Sequence, residues 1–192
     1  MPPKSKFTRD EIILAALQLV REQGIEAVTA RELGERLGSS ARPIFTVFKN
    51  MEELKEELIK KAKSLYKEYV AEGLKEDIAF RGVGSAYIRF AAAEPKLFQL
   101  LFMIEQEKST DLEHVLSSID ENYEAILQSV QQPYQLDEAT AKRIYQHLWI
   151  YTHGIAVLCA TKVCRFTGEE IQTMMTEIFK SLLEKVKRSG TL

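Results

Sequence analysis

The chain has 192 residues, 45% of them hydrophobic, a formal net charge of −2 and two cysteines. That is enough chain for a real core, and the near-neutral balance excludes a uniformly basic nucleic-acid binder. No stretch approaches the roughly 20 apolar residues of a membrane span, and the polar start lacks the apolar run of a signal peptide, so a cytoplasmic protein is expected.

Residues 1–6 read as a short arm carrying Lys4 and Lys6. The first helix is predicted over residues 8–24. Thr8 and Glu11 have capping-box spacing, Phe7 and Ile12 that of a hydrophobic staple. Ile13, Ala16, Leu17 and Val20 form an amphipathic stripe, and Gly24 ends it. A second helix starts from Thr29 with Glu32 at the capping-box position, and buries Leu33 and Leu37 one turn apart. Gly38 suits a left-handed helix end. Ser39 or Ser40 then caps a third helix, with Pro43 in its first turn and Ile44 and Phe48 facing a core. Asn50 and Glu53 open a long fourth helix, whose face repeats Leu54, Leu58, Ala62, Leu65 and Tyr69 to about residue 72. After a soft break at 73–80, helices are expected at about 82–93, 96–104, 110–130, 137–165 and 167–187. Thr110 with Glu113 and Thr167 with Glu170 supply further caps, and Pro133 marks a loop at 131–135. The sum is an all-α chain of about nine helices, with weak strand signals throughout.

Residues 28–50, VTARELGERLGSSARPIFTVFKN, thus read as a helix-turn-helix whose second helix is short enough to enter a DNA major groove. The run resembles the DNA-binding domain of the TetR/AcrR family of bacterial regulators. Thr29, Leu33, Gly34, Gly38, Ser40, Ile44, Phe45, Phe48, Lys49, Asn50, Glu52 or Glu53, and Leu54 stand at the family's positions, and the match spans about residues 7–58. Phe45 replaces a usual Tyr and Val47 a frequent His, so two common phosphate contacts are missing; Arg42 and Pro43 replace a small pair. A second resemblance is to the C-terminal domain type named for a Trp-His-Gly (WHG) motif. It rests on Trp149, His153 and Gly154 in LWIYTHGIAVL, spaced more widely than in that motif, and on AYIRFAAAEPKLFQLLF. The resemblance implies a TetR-like fold. The head would be residues 1–50, the helix at about 51–72 would connect, and residues 51–192 would form a ligand-binding and dimerisation body. It implies a ligand-responsive DNA-binding transcriptional regulator, a repressor released from a palindromic operator by a small-molecule effector.

Charge placement fits such a division: residues 1–50 carry eight Lys/Arg against six Asp/Glu, the remainder 18 against 22. Ser40, Ala41, Arg42, Phe45 and Thr46 are the candidate groove readers. Arg reads guanine bidentately and Thr contacts a thymine methyl. Lys4, Lys6, Thr29, Arg31 and Lys49 are candidate phosphate positioners. Tyr87, Phe98, Phe102, Tyr123, Tyr145, Trp149 and His153 cluster in the middle helices. They are core by composition, and a ligand pocket by resemblance. The last helix is apolar over more than one stripe, so a second copy is expected on Leu148, Tyr151, Ile155 and Leu158 together with Ile171, Met174, Met175, Ile178 and Leu182.

No cofactor, metal or enzymatic activity is expected. His114, His147 and His153 lack H-E-x-x-H spacing, Cys159 and Cys164 lack C-x-x-C spacing, and neither G-x-S-x-G nor a Gly-rich phosphate loop occurs. On one continuous helix the two cysteines would lie about 8 Å apart, beyond disulfide reach. They read as small buried thiols, with a thiol sensor as the sharper alternative. A protein-binding helical adaptor explains the apolar last helix but not the head, and an activator is the remaining alternative.

Overall fold

The computed structural model describes residues 6–104, 111–119 and 121–188; Lys4 and Thr110 lie outside them. Among the described residues there are nine α-helices and no strand. They are α1 (Arg9–Gln23), α2 (Ala30–Arg36), α3 (Met51–Gly73), α4 (Ala79–Ala93), α5 (Pro95–Phe102), α6 (Leu112–Ile119), α7 (Tyr123–Tyr134), α8 (Glu138–Ala160) and α9 (Gly168–Arg188). The chain forms two compact units. Of the described residues, one comprises those to Leu65 with Glu94–Ile104; the other comprises Tyr66–Ala93 and those from Asp111 on.

In the first unit, α1 starts at a complete capping box: the Thr8 hydroxyl accepts from the Glu11 amide, and Glu11 accepts from the Thr8 amide at 2.7 Å. Ile12, Ala16 and Val20 on its inner face are fully buried. A segment later in the sequence, Glu94–Ile104, completes this core. Helix α5 packs on α1, with Leu97 and Phe98 fully buried, and the Arg21 guanidinium makes two bonds to the Glu94 carboxylate, at 2.6 and 2.9 Å. The first unit therefore extends past residue 50 and recruits α5, which the sequence reading placed in the body. A helix alternating two apolar faces declares that it is buried but not against what.

The predicted third helix is corrected to a single 3-10 turn, Ile44–Thr46. Proline explains this. Pro43 has no N–H to bond back to Ser39, and it disfavours the α conformation at Arg42. The turn closes through short-range bonds, Ile44 N–H to Ala41 O and Val47 N–H to Ile44 O, and β-branched Ile44, Thr46 and Val47 do not compensate. Ile44 and Phe48 are still buried, so the inward pair survives the change of helix type.

In the second unit, α8 packs mainly on α4, with α7 and α9 alongside. At the turn joining α3 to α4, Gly73 and Gly82 bring their backbones so close that a Cβ on Gly82 would strike the Gly73 carbonyl oxygen. The predicted 110–130 helix is two, α6 and α7. The loop expected around Pro133 is instead the last turn of α7, which ends at Gln135 in the left-handed conformation. Helix α8 stops at Ala160, short of residue 165, where Lys162 takes φ +60°. Cys164 thus lies beyond the helix that carries Cys159, and the same-helix geometry expected for the pair does not arise. Burial, with Cys164 nearby, raises the Cys159 thiol's pKa, which disfavours the reactive thiolate.

Candidate nucleic-acid interface and effector cavity

The exposed polar row of the first unit is set by the end of α2. Thr29 caps that helix, its hydroxyl accepting from the Glu32 amide at 3.2 Å. At the other end Gly38 takes φ +61°. Its N–H bonds to Glu35 O at 3.0 Å and the Ser39 N–H to Gly34 O at 2.9 Å. These two bonds are a Schellman motif, which satisfies orphan helix carbonyls and turns the chain sharply. A Cβ on Gly34 would meet the backbone of Ser40 and Ala41 at 3.0 Å, so the outgoing chain lies directly against α2.

That turn leaves Ser40, Arg42, Phe45, Thr46 and Lys49 exposed, with Ala41 half-buried among them. Phe45 is 47% exposed, a large apolar ring left in water. Thr46 is partly committed: its hydroxyl donates to Pro43 O at 2.6 Å, which leaves the methyl and the oxygen lone pairs available. The Lys6 ammonium reaches the Ser39 hydroxyl at 3.2 Å, so the N-terminal cation is held over the turn. Arg31 is exposed and pairs with Glu35 at 3.0 Å. The candidate readers thus sit on one turn and its flanks, not on successive faces of an α-helix.

Sequence reasoning missed the residue that locks this segment down. Arg9, at the start of α1, stacks its guanidinium 4.3 Å over the Phe48 ring and bonds Glu53 on α3 at 2.9 Å. Glu53 also accepts the Lys49 amide at 2.7 Å, and its own N–H donates to the Asn50 side chain at 2.8 Å. The Lys49 amide and then Arg9 hold the Glu53 carboxyl below the usual carboxylate range. The signal available in the sequence was Glu53 alone, as a capping residue.

In the second unit, the aromatic cluster exists but encloses little space. Tyr87 and His153 share a 2.9 Å hydrogen bond between the phenol and Nδ1, and Trp149 stacks on His153 with centroids 4.8 Å apart. Burial holds the His153 imidazole below its usual pKa. Tyr87, Tyr145 and Trp149 border a void of only about 30 Å³, the share of a single water. Tyr123 stacks against Tyr145. Phe98 and Phe102 belong to the first unit and pack there with tilted rings, centroids 5.1 Å apart.

A larger cavity, about 300 Å³, opens beside that cluster, at the lower limit of small-molecule sites. Its walls come from the start of α4 (Phe80, Arg81), the end of α7 (Tyr134) and α9 (Thr176, Phe179, Leu183). Phe179 packs edge-on to Tyr134 at 4.9 Å and near Phe80 at 6.1 Å. None of the seven aromatic and histidine residues singled out from the sequence lines it. Two of its wall residues were not offered by the sequence for a local reason: Phe80 fell in a presumed break and Tyr134 in a presumed loop, and both are helical.

Of the residues expected at the interface, Leu148, Ile155 and Met175 are each at most 6% exposed within the single chain and pack in its own core. Tyr151, Leu158, Ile171, Met174, Ile178 and Leu182 are half-buried. Two apolar residues of this region that were not in the expected interface stand out: Ile150 is 55% and Val163 69% exposed. Among the described residues no group of three or more His, Cys, Asp or Glu side chains is placed to hold a metal. No helix among them is long and apolar enough to cross a membrane.

Residues 12–58 match the family model described as bacterial regulatory proteins, tetR family, and residues 80–185 match the tetracyclin repressor-like C-terminal domain. No curated protein matches the chain in sequence. Solved structures do match in fold. The fatty acid degradation regulator FadR from Bacillus halodurans aligns with TM-score 0.60 at 17% identity, covering 92% of this chain and 98% of that one. A glutamine-to-alanine variant of TetR from Acinetobacter baumannii AYE, in complex with minocycline, gives TM-score 0.57 at 15% identity, over 95% and 98% of the two chains. A transcriptional regulator from Rhodococcus sp. Rha1 gives 0.58 at 17% identity, over 93% and 97%.

Proposed function

Because the chain belongs to the TetR family of bacterial regulatory proteins, and is a DNA-binding transcriptional regulator, we propose that it acts as a homodimeric repressor released from a palindromic operator by a small molecule. The Schellman turn at Gly38 carries this reading: it brings Ser40, Arg42, Thr46 and Lys49 to the surface next to the Lys6 arm. Arg42 and Thr46 read bases, while Lys6, Arg31 and Lys49 hold phosphates. Lys4 and Thr29 join the positioning set, the latter mainly as the helix cap. Phe45 packs on sugar or thymine methyl. The matched regions describe regulators, and catalysis is no part of the proposed role. The proposed compartment is the cytoplasm, where operator DNA is.

The dimer is supported by exposed Ile150 and Val163 and by half-buried Ile171, Met174, Ile178 and Leu182, which share one side of α9. Two heads related by a two-fold axis would read two half-sites of a pseudo-palindrome. Helix α3 is continuous from Met51 to Gly73, packing in the first unit to Leu65 and in the second from Tyr66. An effector that prefers the non-binding arrangement shifts the equilibrium through that helix, and DNA weakens effector binding by the same factor. The relatives named above differ in what they regulate or bind, so neither effector transfers to this chain.

The test is anisotropy of labelled DNA flanking the protein's own gene, over a salt series, with wild type, Arg42→Ala and Thr46→Ala. Saturable binding of two chains to one palindromic segment is expected, with a steep salt dependence. Arg42→Ala costs roughly ten-fold or more in affinity for that segment and leaves the dimer intact. Sequence-blind binding, or none at low salt, overturns the operator reading and favours a protein-binding adaptor.

A further inference from the structure

Arg81 sits in the first turn of α4, and its Nε is buried without a hydrogen-bond partner among the described residues. A buried donor left unmade is costly, more so on a charged group, and native chains rarely keep one without a use. Glu76, in the turn before α4, pairs with Arg89 at 3.3 Å. Arg81 lines the 300 Å³ cavity, and Lys180 on α9 lines it as well. Every other wall residue there is apolar or aromatic except Thr176 and the Tyr134 phenol. Two cations therefore face a site that otherwise selects for hydrocarbon.

We propose that this cavity binds a small monocarboxylate with an unbranched apolar body of about eight carbons, its head on Arg81 and Lys180 and its tail along Phe80, Phe179 and Leu183. The inference rests on the effector reading above and names the class of effector. A guanidinium offers a planar fork that matches the two oxygens of a carboxylate. The ammonium adds a second, mobile donor. Space sets the length. About 300 Å³ is on the order of ten water volumes, which suits a ligand of roughly ten non-hydrogen atoms. A cationic head would face two like charges, and a neutral alcohol would forfeit the charge-assisted bonds.

The experiment is isothermal titration of the full-length protein with octanoate, octanol and octyltrimethylammonium, in the absence of DNA. Octanoate is expected to bind once per chain, at least ten-fold tighter than octanol, with octyltrimethylammonium weakest. Arg81→Met should erase the octanoate preference while leaving octanol binding, and Arg81→Lys should restore part of it. Lys180→Met, at an exposed position, should weaken octanoate by a smaller factor without touching the fold. The comparison of the three probes on wild type stands even where an Arg81 variant folds poorly. Equal affinity for octanoate and octanol, retention of the preference in Arg81→Met with native helicity, or binding of none of the three overturns the proposal. Adding octanoate to the operator complex separates the two readings. Octanoate that binds the protein and leaves the DNA complex unchanged upholds this site and overturns only its inducer role.

Discussion

Replacing Gly38 isolates one term of the helix-turn-helix. Its φ of +61° lies in the left-handed region, and a Cβ there meets nothing within 4 Å. Sterics with neighbours are therefore absent, and the cost of Gly38→Ala is the intrinsic penalty of a side chain in that conformation, about 1–2 kcal/mol. Against it stands the smaller unfolded-state entropy of Ala, which returns about 0.4–1 kcal/mol. The net loss is about 1 kcal/mol, or about 2–4 °C in Tm for a chain of this size. Asn tolerates the left-handed region, so Gly38→Asn should lose less than Gly38→Ala, and Gly38→Val more, since branching at Cβ disfavours it further. Urea titrations followed by circular dichroism give the three midpoints. Operator affinity should fall in the same order, because the Ser39 N–H bond to Gly34 O that re-aims Ser40–Lys49 depends on that φ. Equal stability of the Ala, Asn and Val variants would refute the conformational argument.

Three further outcomes follow. Phe98→Ala empties a fully buried site in the first unit and should cost about 3–5 kcal/mol; a thermal melt within 1 °C of wild type would contradict its place in the core. Burial lowers the folded His153 pKa below the unfolded value of about 6.5. The neutral ring is favoured by folding, so this contribution is intact above about pH 6.5 and is lost as pH falls through the lowered folded value. Urea midpoints between pH 8 and 5 should therefore decline less in His153→Gln than in wild type, and identical slopes would dismiss the imidazole as the source. Ile150→Glu with Val163→Glu places charge at the two exposed apolar positions at little cost to the single chain, within about 0.5 kcal/mol per surface site. Sedimentation should then report a monomer, and an unchanged sedimentation coefficient would move the interface elsewhere.

What the sequence disclosed was what is local. Thr8, Thr29 and Asp137 cap the helices that follow them, Thr167 and Glu170 bond reciprocally at the start of α9, and Gly38 ends α2, each decided within about four residues. The two prolines were misread in opposite directions for one reason. Pro43 was credited with a harmless first-turn position, but the turn around it has no long helix to lean on. Pro133 was credited with breaking a helix, but it stands one residue from the end of α7, where its ring closes a turn already ending. Local rules give the tendency, and the packing of neighbours decides it. The candidate cavity was not legible because its polar anchor and its walls are far apart in sequence: Arg81 and Lys180 meet only once α4 and α9 are folded into one unit. Six of the ten candidate DNA contacts fall within the eleven residues Ser39–Lys49, a local cluster that a sequence displays directly.

Helix α9 shows how one apolar excess serves two surfaces. Its hydrophobic residues were read as a core stripe plus a partner stripe, and the structure divides them in a different way. At 3.6 residues per turn each step rotates about 100°. Ile171, Met174, Ile178 and Leu182 fall within about 80° of one another. Met175, Phe179, Leu183 and Val186 form a second row about 100° further round. The second row meets the chain's own unit: Met175 and Val186 are buried, while Phe179 and Leu183 wall the cavity. The first row is only half-buried. A helix that needed only a core would not carry it, and a helix that served only a dimer would not carry Thr176 and Lys180 beside the second. In the proposed function, sensing and assembly would occupy adjacent sides of this one helix. A ligand in the proposed cavity that rotated α9 by even a fraction of a residue step would reposition the side chains of the first row, and in the proposed dimer that would couple effector binding to dimer geometry through the helix itself.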